Sequence, residues 1–536
     1  MRGQPPASRA PRFSLGGTMS DIDHPGLERA LRRLTEASGG PGGAVGVAHQ
    51  GAVVVAHAWG FADLARRRAM TTRTLLPICS ISKQFTCGVL LDLVGDPARL
   101  DDRVAGFLPR LEGRRPGVAE LCHMQSGLRD YWALTVLHGA HPEGVFARED
   151  ARPMIARMRT GHFAPGTGYS YCNTNFRLLS DLLEEQAGQS LGELYRERMF
   201  GPAGMATAVL APDTAAPPEA IVGYEGNPDV GFFPARNRIF WTGDAGIAAS
   251  LEDMLAWERH IDATRDDPEG LYRRLSAAPR FGDGTPARYG YGLFHETVAG
   301  LAATGHGGAL RGFRLQRLVV PARRLSAVVL LNHEGDAHAA ALSLVRAALG
   351  DEGEPAGAPA GSGWAGAYLD PATDLALRVE ARHHGLRARF ATIPDLLALG
   401  PDGVARGPDA SLAPDGDGMR MERPGENLRT TAARLSGAAR DDIAGRYRSA
   451  ELGASLEIVF AGGACHGAFE GMLGRGPMQP ARPLAEDVWL LSCPRSMDAP
   501  APGDWTVLVR RDDAGAVRGL TVGCWLARRV EYLRQG

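Results

Sequence analysis

Apolar positions recur at helical spacing near the N-terminus, where Leu27, Leu31 and Leu34 share one face of a helix predicted over 21–37. The pattern then changes. Residues 42–48 and 52–58 are two apolar, β-branched runs on either side of the short turn His49-Gln50-Gly51, which predicts a β-hairpin. Residues 84–94 (QFTCGVLLDLV) are so rich in apolar side chains that they predict a buried helix. Phe313–Val320 and Leu325–Leu331 read as adjacent strands turning through Pro321-Ala322-Arg323. Up to residue 348 the chain therefore mixes helices with strands, an α/β (α+β) pattern. Residues 349–363, rich in Gly, Ala, Pro and acid, read as a linker. Beyond it, period-two alternation and turn residues take over, with a weak repeat. Gly366-Ala367-Tyr368 followed by Leu377 and Val379 matches Gly445-Arg446-Tyr447 followed by Leu456 and Ile458 at a common offset. Two small antiparallel β modules are expected, over 364–440 and 441–536.

A length of 536 residues accommodates such a division, with enough chain for each part to bury a core. The formal net charge of -2 gives no sign of a nucleic-acid or membrane-surface partner. Seven scattered cysteines, an odd number, make no disulfide framework and point to reduced thiols and a cytoplasmic home. No apolar run approaches the ~20 residues that span a bilayer. The first eighteen residues lack the apolar segment of a secretory signal, so 1–20 reads as a disordered extension, with Met19 as an alternative start.

One lysine stands out. Of the 59 basic residues, Lys83 is the only one that is not arginine, and it lies three residues after Ser80. Guanidinium does not deprotonate at physiological pH, whereas a desolvated ammonium can lose its proton and act as a base. Positions i and i+3 share a helix face, so the amine can reach the hydroxyl. The N-terminal end of the helix favours a developing anion and disfavours a protonated amine. A Ser80 nucleophile with a Lys83 base is the chemistry this spacing supports. A chance Ser-x-x-Lys is common in lysine-rich chains, but here the motif sits on the sole lysine.

Three further stretches bear on the site. In Ala119-Glu120-Leu121-Cys122-His123 and onward to Tyr131, His123 reads as a packed histidine rather than a catalyst. The turn-rich segment from Phe163 to Asn173 places Tyr171 and Asn173 on a loop before a helix near 176–185, where side chains can enter a cleft. Thr304-Gly305-His306-Gly307-Gly308-Ala309-Leu310-Arg311-Gly312 precedes the paired strands; its glycines allow close backbone approach, and His306 can supply a hydrogen bond or a proton. A glycine-rich turn with a surface histidine would read the same way. His333, Glu334 and His338 fail the metalloprotease spacing, and neither a metal site nor a cofactor site is expected.

Taken in order, Ser80-Ile81-Ser82-Lys83, Tyr171-Cys172-Asn173 and His306-Gly307-Gly308 resemble the motifs of the penicillin-recognising serine hydrolases, which include class C type β-lactamases, DD-peptidases and related esterases. His-Gly-Gly in place of the commoner Lys-Thr-Gly is similar to the bacterial D-aminopeptidase branch, a likeness that extends through Ile443-Ala444-Gly445-Arg446-Tyr447 and Thr521-Val522-Gly523-Cys524-Trp525. The resemblance implies a serine β-lactamase-like catalytic domain over 21–348 and two eight-stranded barrels. It implies catalytic roles for Ser80, Lys83, Tyr171 and His306, and substrate contacts from Asn173, Gly307, Gly308 and Ala309. The implied activity is release of N-terminal D-residues (D-Ala, Gly or D-Ser) from short peptides or amides through an acyl-enzyme, without a cofactor. It also implies inhibition by β-lactam compounds and leaves a homodimer open. A loop of the second barrel, 473–483, is expected to reach the cleft, where the family presents an aspartate to the substrate's N-terminal end. Pro477 occupies the aligned position, which puts substrate preference in question. An esterase or β-lactamase/DD-peptidase-like hydrolase would share the catalytic residues; a non-turning-over peptidoglycan-fragment binder is a further alternative.

Overall fold

The expected hairpin forms, as β1 (Gly42–His49) and β2 (Ala52–Asp63). It belongs to an antiparallel sheet with β3 (Arg68–Ala69), β4 (Tyr289–Gly290), β5 (Leu293–Val298), β6 (Leu301–Leu310), β7 (Phe313–Val320) and β8 (Leu325–Leu331), in the order β3-β2-β1-β8-β7-β6-β5-β4. The structure is a computed structural model describing residues 22–37, 40–351, 362–383, 385–493, 495–498 and 503–536. The extension expected over 1–20 and most of the linker expected over 349–363 lie outside the described residues.

β1 and β8 are buried at every position because both faces of the sheet are covered. Successive residues point to opposite layers. Val45, Val47, Val329 and Leu331 pack with Leu27, Leu31 and Leu344, whereas Ala44, Ala48, Val328 and Leu330 pack with Leu76, Phe85 and Leu255. The helices that build these layers and the site are α1 (His24–Ala37), α2 (Ser82–Leu93), α3 (Tyr131–Leu137), α4 (Asn173–Ala187), α5 (Leu251–Ala263) and α6 (Ala337–Leu349). α1 and α6 cover one face; α2 lies inside the other layer, with residues 82–91 all buried, as a helix apolar on every side requires.

Eight strands from Gly366–Asp370 to Leu428–Arg434 close into a first barrel. The strands from Gly445–Ser449 to Ala527–Arg534 form a second, closed by pairing of Ala454–Ala461 with Ala464–Gly471. This is the architecture the resemblance implied. The two barrels meet the catalytic domain differently. Tyr447, Leu456, Phe469, Trp505 and Tyr532 of the second barrel belong to the same continuous apolar core as α2 and α4, while Tyr368, Leu377 and Met421 of the first form a distinct cluster that Trp525 of the second barrel enters. Arg129, which is 1% exposed, crosses the seam between catalytic domain and second barrel, donating to the Arg528 carbonyl (3.0 Å) and to Glu451 (2.7 Å).

Candidate active site

Ser80 occupies a single 3-10 turn, Cys79–Ile81, that runs into α2. The preceding Cys79 has φ of 52°, a conformation that costs a non-glycine residue about 1–3 kcal/mol and lifts the next side chain out of the turn. β6 lies directly against this turn. A Cβ at Gly308 would come within 2.5 Å of the Ile78 carbonyl oxygen, so only glycine lets strand and turn approach so closely. The His306-Gly307-Gly308 motif is therefore inside a strand, whereas its glycines had suggested a turn ahead of one.

Lys83 lies one turn along and is fully buried. Its Nζ is 2.9 Å from Ser80 Oγ, 2.8 Å from Asn173 Oδ1 and 2.6 Å from the Asp244 carbonyl oxygen. Amide and carbonyl oxygens can only accept, so these two engage two N–H groups of the amine. In the neutral amine that leaves the lone pair directed at the Ser80 hydroxyl. Burial lowers the Lys83 pKa to about 8, against the opposing pull of the Asp244, Asp130 and Asp498 carboxylates. Asn173 begins α4 rather than standing in the loop before it. Its orientation is set by Asp130, whose Oδ2 accepts from the Asn173 backbone N–H (2.5 Å) and from Nδ2 (2.8 Å). Asp130 Oδ1 caps α3 through Trp132 N (2.8 Å).

The Tyr171 hydroxyl lies close enough to the Ser80 hydroxyl to influence its own ionisation, and its ring centroid is 5.0 Å from Lys83 Nζ. Burial raises the phenol well above its ordinary pKa, so it rests as a neutral O–H group able to relay a proton, not as a phenolate base. His306 is buried and its pKa falls to about 3, leaving a neutral ring. Nδ1 faces the Gly307 carbonyl, which can only accept, so the proton resides there; Nε2 then accepts from the Tyr289 hydroxyl at 3.0 Å. Both nitrogens are thus committed to protein partners, and the ring stands 6.1 Å between centroids from Tyr171. His123 packs edge-on against Tyr291, 4.7 Å between centroids, as a structural histidine.

The loop expected at the cleft, 473–483, runs along the end of α3. Leu473 N bonds the His138 carbonyl, His141 Nε2 lies 3.0 Å from the Arg475 carbonyl, and Pro477 lines a cavity of about 240 Å³ between the end of α3 and the second barrel. Another second-barrel segment, 495–498, meets the β6–β7 turn. The Arg311 N–H, at the β6–β7 turn, donates to the Asp498 carbonyl at 2.9 Å, and the Asp498 carboxylate contributes to the charge felt by Lys83 and by Cys79. Burial and the neighbouring Asp130 push the Asp498 carboxyl up to about 7.

Residues 27–351 match the family profile described as Beta-lactamase, and 358–533 that described as D-aminopeptidase, domain B. A D-aminopeptidase of Cereibacter sphaeroides is 58% identical over 516 residues, 96% of this chain and 99% of the relative. The chain belongs to the D-aminopeptidase family. A D-aminopeptidase of Brucella canis is 53% identical over 518 residues, 96% of this chain and 100% of its own. The octameric penicillin-binding protein homologue from Pyrococcus abyssi shares the fold, with a TM-score of 0.53 at 19% identity, covering 84% of this chain and 99% of that one. Sequence reasoning toward a D-aminopeptidase site missed Asp130, Asp244 and Asp498. Asp130 stands in the stretch singled out for His123; for the other two no local motif marks the role.

Proposed function

We propose that this D-aminopeptidase is a serine hydrolase that releases N-terminal D-residues of the D-Ala, Gly and D-Ser type from short peptides or amides through an acyl-enzyme on Ser80. The observation that carries the reading is the Lys83 amine, 2.9 Å from Ser80 Oγ, with its hydrogens drawn to Asn173 Oδ1 and the Asp244 carbonyl. Neutral Lys83 takes the Ser80 proton as Oγ attacks the amide carbonyl. Backbone N–H groups of Ser80 and Ala309 hold the oxyanion, each worth roughly 3 kcal/mol. Tyr171 relays a proton to the leaving amine. Water then attacks the ester, with the same pair running in reverse. Asn173 orients the substrate amide, Gly307 and Gly308 let β6 run beside it, and His306 braces the Tyr171 wall.

The α-ammonium of the substrate is read by Asp498. This carboxylate takes the place that the aligned loop left without an acid at Pro477, and its charge attracts a free amine while giving an acylated one nothing to bind. An N-terminal D-residue carries that ammonium on the carbon next to the scissile carbonyl, which accounts for a carboxylate placed in the field of Lys83. Free thiols at Cys79, Cys87, Cys122, Cys172, Cys465, Cys493 and Cys524 favour a cytoplasmic setting, and no helix among the described residues is long and apolar enough to cross a membrane. β-Lactam compounds fit as acylating inhibitors of Ser80, and a homodimer remains compatible with this reading.

Lys83→Arg keeps charge and approximate length but forbids deprotonation. It is expected to abolish acylation, a fall on the order of 10³-fold or more in kcat with D-alanine p-nitroanilide. Mass spectrometry should find a fluorophosphonate adduct on the wild type and none on Ser80→Ala. Near-normal turnover by Lys83→Arg would refute the base assignment.

A further inference from the structure

The segment carrying Asp498 anchors through buried Met497, which joins the core shared with α3, beside the 240 Å³ cavity lined by Ser496 and Met497 on the barrel side and by Thr135, Val136 and Ala140 on the catalytic side. Polar contacts add to this packing. Ser496 Oγ donates to Asp498 Oδ1 at 2.8 Å, orienting the carboxylate within its own segment. The segment as a whole is tied to the catalytic domain by charge. Glu225, on the hairpin Tyr224–Asn227/Gly231–Pro234, has a side chain only 9% exposed and lies between two guanidinium groups. Its Oε1 and Oε2 each accept from Arg311 at 3.3 Å, and Oε2 also accepts from Arg495 at 2.9 Å. Glu143 adds a second acid, 3.5 Å from Arg495 and 3.7 Å from Arg311. Arg311 in turn donates from its side chain to the Pro142 carbonyl and from its backbone to the Asp498 carbonyl. One carboxylate thus grips both the residue three positions before Asp498 and the residue whose backbone holds Asp498 itself.

We propose that Glu225, clasping Arg311 and Arg495 together, is a specificity-determining positioning residue that holds the Asp498 segment over Ser80 and thereby sets the preference for substrates with a free α-ammonium. This rests on Asp498 reading that ammonium. None of the clasp residues touches Ser80, Lys83 or Tyr171, so opening the clasp displaces the carboxylate and leaves the acylating machinery in place. A positioning residue for a substrate charge acts on the affinity for that charge, whereas one for the nucleophile would act on every acyl substrate alike.

The test compares full-length Arg495→Met and Glu225→Gln with the wild type on D-alanine p-nitroanilide, N-acetyl-D-alanine p-nitroanilide and p-nitrophenyl acetate. Arg495 has a side chain 38% exposed, so its replacement is compatible with folding where that of buried Glu225 is a larger disturbance. In both variants the kcat/KM ratio of free to acetylated substrate should fall about tenfold or more, through KM for the free amine, as loss of a charged hydrogen bond implies. Hydrolysis of p-nitrophenyl acetate should stay within about twofold, and Arg495→Lys should retain most of the preference. An unchanged ratio in Arg495→Met, or an equal fall on all three substrates, overturns the clasp. Asp498→Asn separates the two levels. If it collapses the ratio and Arg495→Met does not, the clasp alone is wrong; if it leaves the ratio intact, the ammonium reading fails and the clasp falls with it.

Discussion

At Lys83 two influences oppose each other, and under the proposed mechanism their balance sets the pH at which the base is ready. Burial favours the neutral amine and brings its pKa to about 8, while the nearby carboxylates, Asp130 among them, favour the ammonium. The base is the deprotonated form, so kcat/KM for a neutral ester such as p-nitrophenyl acetate should rise with pH through an apparent pKa of about 8. In Asp130→Asn one charge that raises the Lys83 pKa is gone, so that ascending limb should move to lower pH. The same variant replaces one of the two carboxylate oxygens, which serve Asn173 N and Nδ2 on one side and Trp132 N on the other, with an NH2 that can only donate, and the plateau should drop roughly 10- to 100-fold because Asn173 is held less firmly with Oδ1 toward the amine. A limb that stays put or moves upward would show that Asp130 does not act on Lys83. Ser80 and Lys83 were legible because their contact is one helical turn, a distance that spacing alone determines. Asp130 was not, although its stretch attracted notice: the eye went to His123, which packs against Tyr291, while the carboxylate works through a tertiary hydrogen bond to α4. Asp498 escaped for a related reason. Aligning a loop by its neighbours along the chain led to Pro477, whereas Asp498, the acid proposed above to read the substrate, stands on a later segment that meets the β6–β7 turn.

Among the elements, the seam between β6 and the nucleophile turn is the tightest contact that serves the site. Gly308→Ala would place a methyl group 2.5 Å from the Ile78 carbonyl, and backbone atoms on both sides leave nothing flexible to yield. The strand must back away from Ser80. Overpacking of this kind costs about 1–3 kcal/mol in stability, but the displacement also pulls Ala309 N from the oxyanion position. The expected result is a fall of at least about tenfold in kcat with a modest drop in melting temperature; full activity at wild-type Tm would mean the contact relaxes without moving β6. The strand itself was hidden in the sequence because glycines, poor strand formers by propensity, are retained where another backbone passes close. By contrast, the barrel repeat was readable down to register. Tyr368 pairs with Leu377 and Gly366 with Val379, just as Tyr447 pairs with Leu456 and Gly445 with Ile458. Each tyrosine also lies under an arginine of its barrel's last strand, Arg434 at 5.4 Å and Arg534 at 5.9 Å from the ring centroids. Period-two alternation records such pairings directly, since each strand residue has one cross-strand partner.

Over the whole molecule, the second barrel is an integral part of the catalytic body rather than an appendage. Its turn between the strands Val517–Cys524 and Ala527–Arg534 supplies the Leu526 carbonyl to Asp130 N (2.9 Å) and the Trp525 carbonyl to Ser170 Oγ (3.4 Å), so it supports the backbone that carries Asp130 and the approach to Tyr171. Glu451, at another of its turns, accepts from Arg129 Nη1, from Arg159 N (2.7 Å) and from Thr160 N (3.1 Å). Arg129 is a buried guanidinium, and removing its counter-ion leaves that charge with only neutral partners, backbone carbonyls and the Thr160 hydroxyl. Glu451→Ala should therefore destabilise by about 3–5 kcal/mol. Because the apolar core runs unbroken from α2 into the second barrel, these two parts should unfold as one cooperative unit, with the first barrel, whose cluster takes Trp525 from the second but nothing from the catalytic domain, free to show its own transition. Calorimetry of Glu451→Ala should then lower the transition of the joined unit and leave that of the first barrel in place. A variant whose catalytic domain melts at the wild-type temperature while the second barrel alone comes loose would show that the shared core does not couple them, and that the barrel bears on Ser80 only through its local hydrogen bonds.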